Sequence, residues 1–93
     1  MSISTFDTAA YLDSPEMIAA YINDAIEEGD EAALMLALNN VIRARGVAQV
    51  AADAGLARES LYKTLAPGSH PRFETIQKLL RALDLNFKVA HTV

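Results

Sequence analysis

Near the middle of the chain, "VAQVAADAGLARESLYKTLAP" places Gly55 four residues after Ala51, and this pairing constrains the fold more than any other feature. A small side chain at Ala51 lets two helices cross closely, and a glycine in the turn that follows permits a backbone with φ > 0. Val50, Leu56, Leu61 and Leu65 recur at spacings that tie both short segments to one core. Residues 47–65 are therefore expected to form a helix, a sharp turn and a second helix.

The flanking segments carry equally local signals. Ser14 before Pro15 and Glu16 predicts an N-cap and a helix from Pro15 to about Glu28, with Gly29 as its stop. Met17, Ile18, Tyr21, Ile22, Ala25 and Ile26 form its apolar face. Asp30 caps a second helix, "EAALMLALNNVIRAR", ended by Gly46; it is apolar on nearly every side from Ala32 to Leu38, which predicts a central helix covered on both flanks. Residues 72–84 predict a last helix with Phe73, Ile76, Leu79, Leu80 and Leu83 on one face. Residues 85–93, "LNFKVAHTV", alternate with the period of a strand. Residues 1–13 are a weakly patterned lead-in whose Phe6, Tyr11 and Leu12 are expected to fold back on the first helix. The expected architecture is one all-α domain of 93 residues, with five helices and a short C-terminal β-strand.

Composition sets outer limits. A hydrophobic content of 52% suffices for a real core, and the few Gly and Pro favour helices. With no Cys there is no disulfide framework and no thiolate metal site. His70 and His91 are too far apart and too lightly accompanied to suggest metal ligation. No secretion signal and no apolar run near ~18 residues occurs, so the sequence predicts a soluble, cytoplasmic protein.

The net charge of −4 conceals an asymmetry. Residues 1–40 hold eight acids and no Lys or Arg, a charge of −8, whereas residues 41–93 hold all eight bases against four acids, a charge of +4. Phosphate contacts are made locally, within a Debye length of about 10 Å, so an acidic total is compatible with a basic nucleic-acid-binding face. Arg58, Glu59, Ser60, Tyr62 and Lys63 lie at or near the start of the second short helix and are expected to point away from Leu61 and Leu65, toward a major groove. Arg58 is the best base reader. Lys63 suits phosphate, Ser60 and Tyr62 suit base edge or backbone, and Glu59 can accept from a cytosine amine or steer Arg58. Arg72 is a further phosphate candidate. Arg43, Arg45, Lys78 and Arg81 are read as solvated surface charges.

The acidic residues Asp24, Glu27, Glu28 and Glu31 cluster around the first helix–helix turn. Glu27 and Glu28 oppose the macrodipole at a helix C-terminus, at a cost of about 0.3–1 kcal/mol each, which a basic protein partner reverses. Catalysis finds no support, since no HExxH, no phosphate-cradling Gly-rich loop and no nucleophile beside an evident base is present. No enzymatic activity and no cofactor are expected.

Through "QVAADAGLARESLYKTL" followed by "HPRFETIQKLLRALDL", the chain resembles the Cro/C1-type helix-turn-helix family. Through "FDTAAYLDSPEMIAAYINDAIEEGD", "ARESLYKTL" and "PRFETIQKLLRAL" in this order, it resembles more closely the antidote (antitoxin) proteins of chromosomal type II toxin-antitoxin modules. That resemblance implies a repressor of its own promoter that neutralises a co-encoded, basic RelE/ParE-type toxin, and it implies a backbone-contacting role for Gln49. Ala48 and Ala57 depart from the pattern, standing where the family commonly has Ser or Thr helix caps. The lone strand 85–93 needs a pairing partner, either "SISTF" or a second subunit, and a homodimer through Leu85, Phe87 and Val89 is the expected solution. Two other functions fit the same residues: an interaction module whose helix-turn-helix is architectural, and a stand-alone transcriptional regulator.

Overall fold

The computed structural model describes residues 14–92, and the expectations for residues 1–13 lie outside them. Among the described residues five helices follow one another: α1 (Pro15–Glu27), α2 (Glu31–Arg45), α3 (Val47–Ala54), α4 (Arg58–Thr64) and α5 (Phe73–Ala82). Each starts or stops where local chemistry directs it. The Ser14 hydroxyl accepts from the Met17 amide at 3.2 Å, with Pro15 filling the first helical position. The Asp30 carboxylate accepts from the Ala32 amide at 3.0 Å.

Gly55 stands at φ 72°, and the turn it makes is closed by bonds from the Gly55 amide to Ala52 and from the Leu56 amide to Ala51, at 3.2 and 2.9 Å. This paired arrangement uses the last carbonyls of α3 and redirects the chain into α4. The end of α5 repeats it without glycine: Asp84 adopts φ 64°, and the Asp84 and Leu85 amides donate to Arg81 and Leu80 at 3.0 and 2.8 Å.

α1 packs on α2, and α3 packs on α2, α4 and α5. The core between them is aliphatic, with Leu38, Ile42, Val50, Leu61, Leu79 and Leu83 wholly inaccessible and Ala51 buried at the crossing of the two short helices. Among the described residues no polar or charged side chain is buried. The Tyr21 hydroxyl accepts from the Asn40 amide nitrogen at 2.8 Å, a part-buried bond that pins α1 to α2.

Three expectations need correction. Residues 85–92 form no strand, because a ladder needs a second strand and none exists among the described residues. Leu85 instead packs against the core of its own chain, while Phe87 stacks on Phe73 with ring centroids 5.0 Å apart. Phe73 does not join the apolar face of α5. It lies at the first position of that helix, beyond the edge of the core, and is 64% exposed. Nor is α2 covered on both flanks: Ala37, Leu38, Val41 and Ile42 are buried, but Leu36 is 61% exposed.

A methyl group added at Gly55 meets no atom within 4 Å, so substitution there tests backbone conformation alone. Gly55→Ala is expected to lower the unfolding free energy by about 1–2 kcal/mol, and Gly55→Asn by clearly less, since Asn tolerates the left-handed region. Urea unfolding reads the difference, and equal losses would contradict a role set by φ.

Candidate nucleic-acid interface

α4 has seven residues, and one of them decides its orientation. Leu61 is completely buried, with Leu65 just beyond the helix also in the core, so the remaining faces turn outward. Arg58, Glu59, Ser60, Tyr62 and Lys63 are all exposed. Neither Arg58 nor Lys63 forms an ion pair with another described residue. Both side chains are exposed, and Glu59 in the first turn suits the positive helix end. The Thr64 hydroxyl donates to the Ser60 carbonyl at 3.0 Å, and the Ser69 hydroxyl donates to the Thr64 carbonyl at 2.8 Å, tying the end of α4 to the following loop.

Tyr62 is exposed but does not face bulk solvent alone. It is 45% exposed and lines a groove of about 580 Å³ together with Leu65, Met35, Leu36 and Arg43. Part of its ring therefore borders that groove rather than bulk solvent alone. Gln49 is exposed in the first turn of α3, but its Nε2 donates to Asp53 Oδ1 at 2.9 Å. One amide hydrogen is committed to that bond and the other remains for a ligand. The spacing of four residues on a helix is a signal by which Asp53 can be recognised from sequence.

Arg72 is exposed and occupies the N-cap position of α5, where its carbonyl accepts from the Thr75 and Ile76 amides at 3.0 and 3.1 Å. Its guanidinium makes no capping bond. The other cap expectations divide. Ala57 is the N-cap of α4, extended at φ −71° and ψ 146°, and supplies no side-chain bond. Ala48 is not a cap: Gly46, at φ 113°, takes that position, and Ala48 lies inside the first turn of α3.

On the acidic side, Asp24, Glu27, Glu28 and Glu31 are exposed, and α1 has no base in its last turn to offset Glu27. Asp24 and Glu28 border a shallow depression of about 350 Å³ with Tyr21, whereas Glu31 faces the larger groove. There its Oε2 lies 2.9 Å from His70 Nδ1, a contact across 39 residues of sequence. A carboxylate can only accept, so the hydrogen of that bond sits on Nδ1. No periodicity signals a pairing at that separation. Among the described residues no group of three His, Cys, Asp or Glu is placed to hold a metal ion, and no helix is long and apolar enough to cross a membrane.

These features define an all-helical domain with an exposed, core-anchored short helix on its basic half and a separate acidic region around its first helix–helix turn. A family model described as "Probable addiction module antidote protein" matches residues 2–91, and the chain belongs to that family. An "Uncharacterized protein" of Haemophilus influenzae is 40% identical over 87 residues, spanning 94% of this chain and 90% of the relative. No solved structure matches the chain significantly.

The missing cap on α4 is directly testable. Ala57→Ser is expected to raise stability by about 1 kcal/mol, as its backbone already has the extended geometry of a capping residue. Ala48→Ser, inside a helical turn, is expected to give no gain. Thermal unfolding of both variants checks this, and an equal gain from Ala48→Ser would contradict the cap assignments.

Proposed function

We propose that this protein is the antitoxin of a chromosomal type II toxin-antitoxin module, binding its own promoter as a repressor through a Cro/C1-type helix-turn-helix and neutralising a co-encoded basic toxin of the RelE/ParE type. One observation carries the DNA half of the reading: Leu61 is fully buried while Arg58, Glu59, Ser60, Tyr62 and Lys63 surround it in solvent. A helix so anchored presents its outer face to the major groove. Arg58 reads base edges, preferring the paired acceptors of a guanine, and Lys63 and Arg72 neutralise phosphate. Gln49 gives its second amide hydrogen to the backbone. The partner side is supported by membership of the antidote family and by the charge of −8 in residues 1–40, which draws a cationic protein toward Asp24, Glu27, Glu28 and Glu31. No catalytic step belongs to either task, and both take place in the cytoplasm.

A palindromic operator calls for two copies, set about one DNA turn apart, roughly 34 Å. The C-terminal segment supplies the apolar surface for a homodimer. Val89 is 95% exposed and Phe87 42% exposed, whereas Leu85 is engaged in its own core and contributes by placing the segment.

Arg58→Ala is expected to weaken binding to the protein's own upstream duplex by about 1–3 kcal/mol, with discrimination against unrelated duplex reduced. Lys63→Ala is expected to weaken both duplexes alike and to make the slope of log K against log[salt] shallower by about one phosphate contact. Fluorescence anisotropy across a salt series reads both, and equal operator affinity for wild type and an Arg58→Ala, Lys63→Ala double variant removes the assignment.

Removing residues 86–93 is expected to leave a folded monomer with much weaker operator binding. A truncated protein that still sediments as a dimer, or a full-length protein that is monomeric at micromolar concentration, overturns the dimer contact.

A further inference from the structure

Leu36 is the large apolar side chain that α2 leaves in solvent, 61% exposed in the half of the helix nearest the acidic turn. Among the described residues it is also the one shared by two concavities. One is the depression bordered by Tyr21, Asp24 and Glu28; the other is the groove whose near end is bordered by Asp30 and Glu31. Leu36 therefore stands as an apolar ridge between two hollows, with a pair of carboxylates beside each. None of the four pairs with a Lys or Arg among the described residues; Asp30 accepts from the Ala32 amide, and Glu31 meets His70. The floor of the larger groove adds Met35 and Leu65, and its far end carries Arg43, whose Nε donates to Asn39 at 2.9 Å.

We infer that Leu36 is the apolar anchor of the toxin-docking face, and that the occupant is a basic protein surface carrying aliphatic or aromatic side chains that straddle Leu36, flanked by Lys or Arg reaching the carboxylates on either side. This rests on the antitoxin reading above and narrows it to one ridge. An exposed leucine between hollows gives a partner apolar contact that survives salt, while the surrounding carboxylates steer a cationic surface and repel nucleic acid. Charge complementarity selects the occupant: the carboxylates of Asp24, Glu28, Asp30 and Glu31 outnumber the cationic Arg43 on this face, so a second copy bringing the same face would set mostly acid against acid. The two parts act at different steps. Carboxylates set the rate of encounter, and Leu36, desolvated only after docking, sets the rate of escape.

The test uses the full-length protein immobilised against the purified basic product of the adjoining reading frame, with association and dissociation followed at low and high salt. Leu36→Ala and Leu36→Lys are helix-compatible changes at an exposed site, and circular dichroism checks that both fold. Leu36→Ala is expected to speed dissociation about 10- to 100-fold with association little changed. Asp24→Asn with Glu28→Gln is expected to slow association at low salt and to have little effect at high salt. Ile26→Ala, which removes a 45% exposed apolar side chain outside both hollows, is expected to leave both rates unchanged. If wild type binds and the Leu36 variants dissociate at the wild-type rate, the anchor assignment is overturned and the antitoxin reading stands. If wild type does not bind, the antitoxin reading itself fails and the anchor with it. If the Leu36 variants change self-association in sedimentation instead, the face joins two copies of this chain and the assignment is likewise overturned.

Discussion

Everything presented by α4 depends on the burial of Leu61. A helix of seven residues with no side-chain cap is unstable by itself, because nucleation fixes the backbone of several residues for one hydrogen bond and so short a segment forms too few further bonds to offset that cost. Tertiary packing must hold it, and Leu61 and Leu65 are the side chains of this segment that reach the core. Val50 and Ala51 on α3 provide the other half of the contact, and the left-handed turn at Gly55 sets the path between the two helices. Truncating so deeply buried a leucine costs about 2–5 kcal/mol, a large fraction of the stability of a small domain. Arg58 and Lys63 are positioned side chains only because an aliphatic neighbour is immobilised beneath them.

Electrostatics then divides the labour. A chain of net charge −4 repels a polyanion at long range, yet across about 10 Å of electrolyte that repulsion is screened and the nearest charges decide. Arg58, Lys63 and Arg72 fall in the basic half, while the carboxylates of Asp24, Glu28, Asp30 and Glu31 surround the first helix–helix turn. Glu27 at the negative end of α1 has no base in its own turn to relieve it, an arrangement that costs stability in the free protein and is relieved by a cationic partner. On this account the acidity belongs to the partner-binding region, and duplex DNA meets the other half of the chain.

The helices were legible because their signals are local. Ser14 with Pro15, Asp30, Gly46 and Gly55 each act within a few residues, and every helix begins or ends at or within two residues of its expected position. The outward face of α4 was legible for the same reason, since the burial of Leu61 and Leu65 determines where Arg58 and Lys63 point. What sequence hid was relational. The alternation in residues 85–93 has the period of a strand, but a strand is a property of a pair, and the chain instead places Phe87 on Phe73. An apolar helix such as α2 carries no mark of which leucine its neighbours leave uncovered, so the exposure of Leu36 had no sequence counterpart. The approach of His70 to Glu31 depends on where the loop after α4 returns, and so does the groove that Tyr62 comes to line.

On the proposed reading, a short, core-anchored helix on the basic half of an acidic protein reads duplex DNA. The most direct measurement is a nuclear magnetic resonance titration of the full-length protein with a duplex carrying its own upstream sequence, following backbone amides residue by residue. Perturbations are expected to concentrate at Gln49, at residues 57–63 and at Arg72, with the amides of α1 unmoved. Perturbations centred on α1 and the first half of α2, or none at all at near-physiological salt, would contradict it.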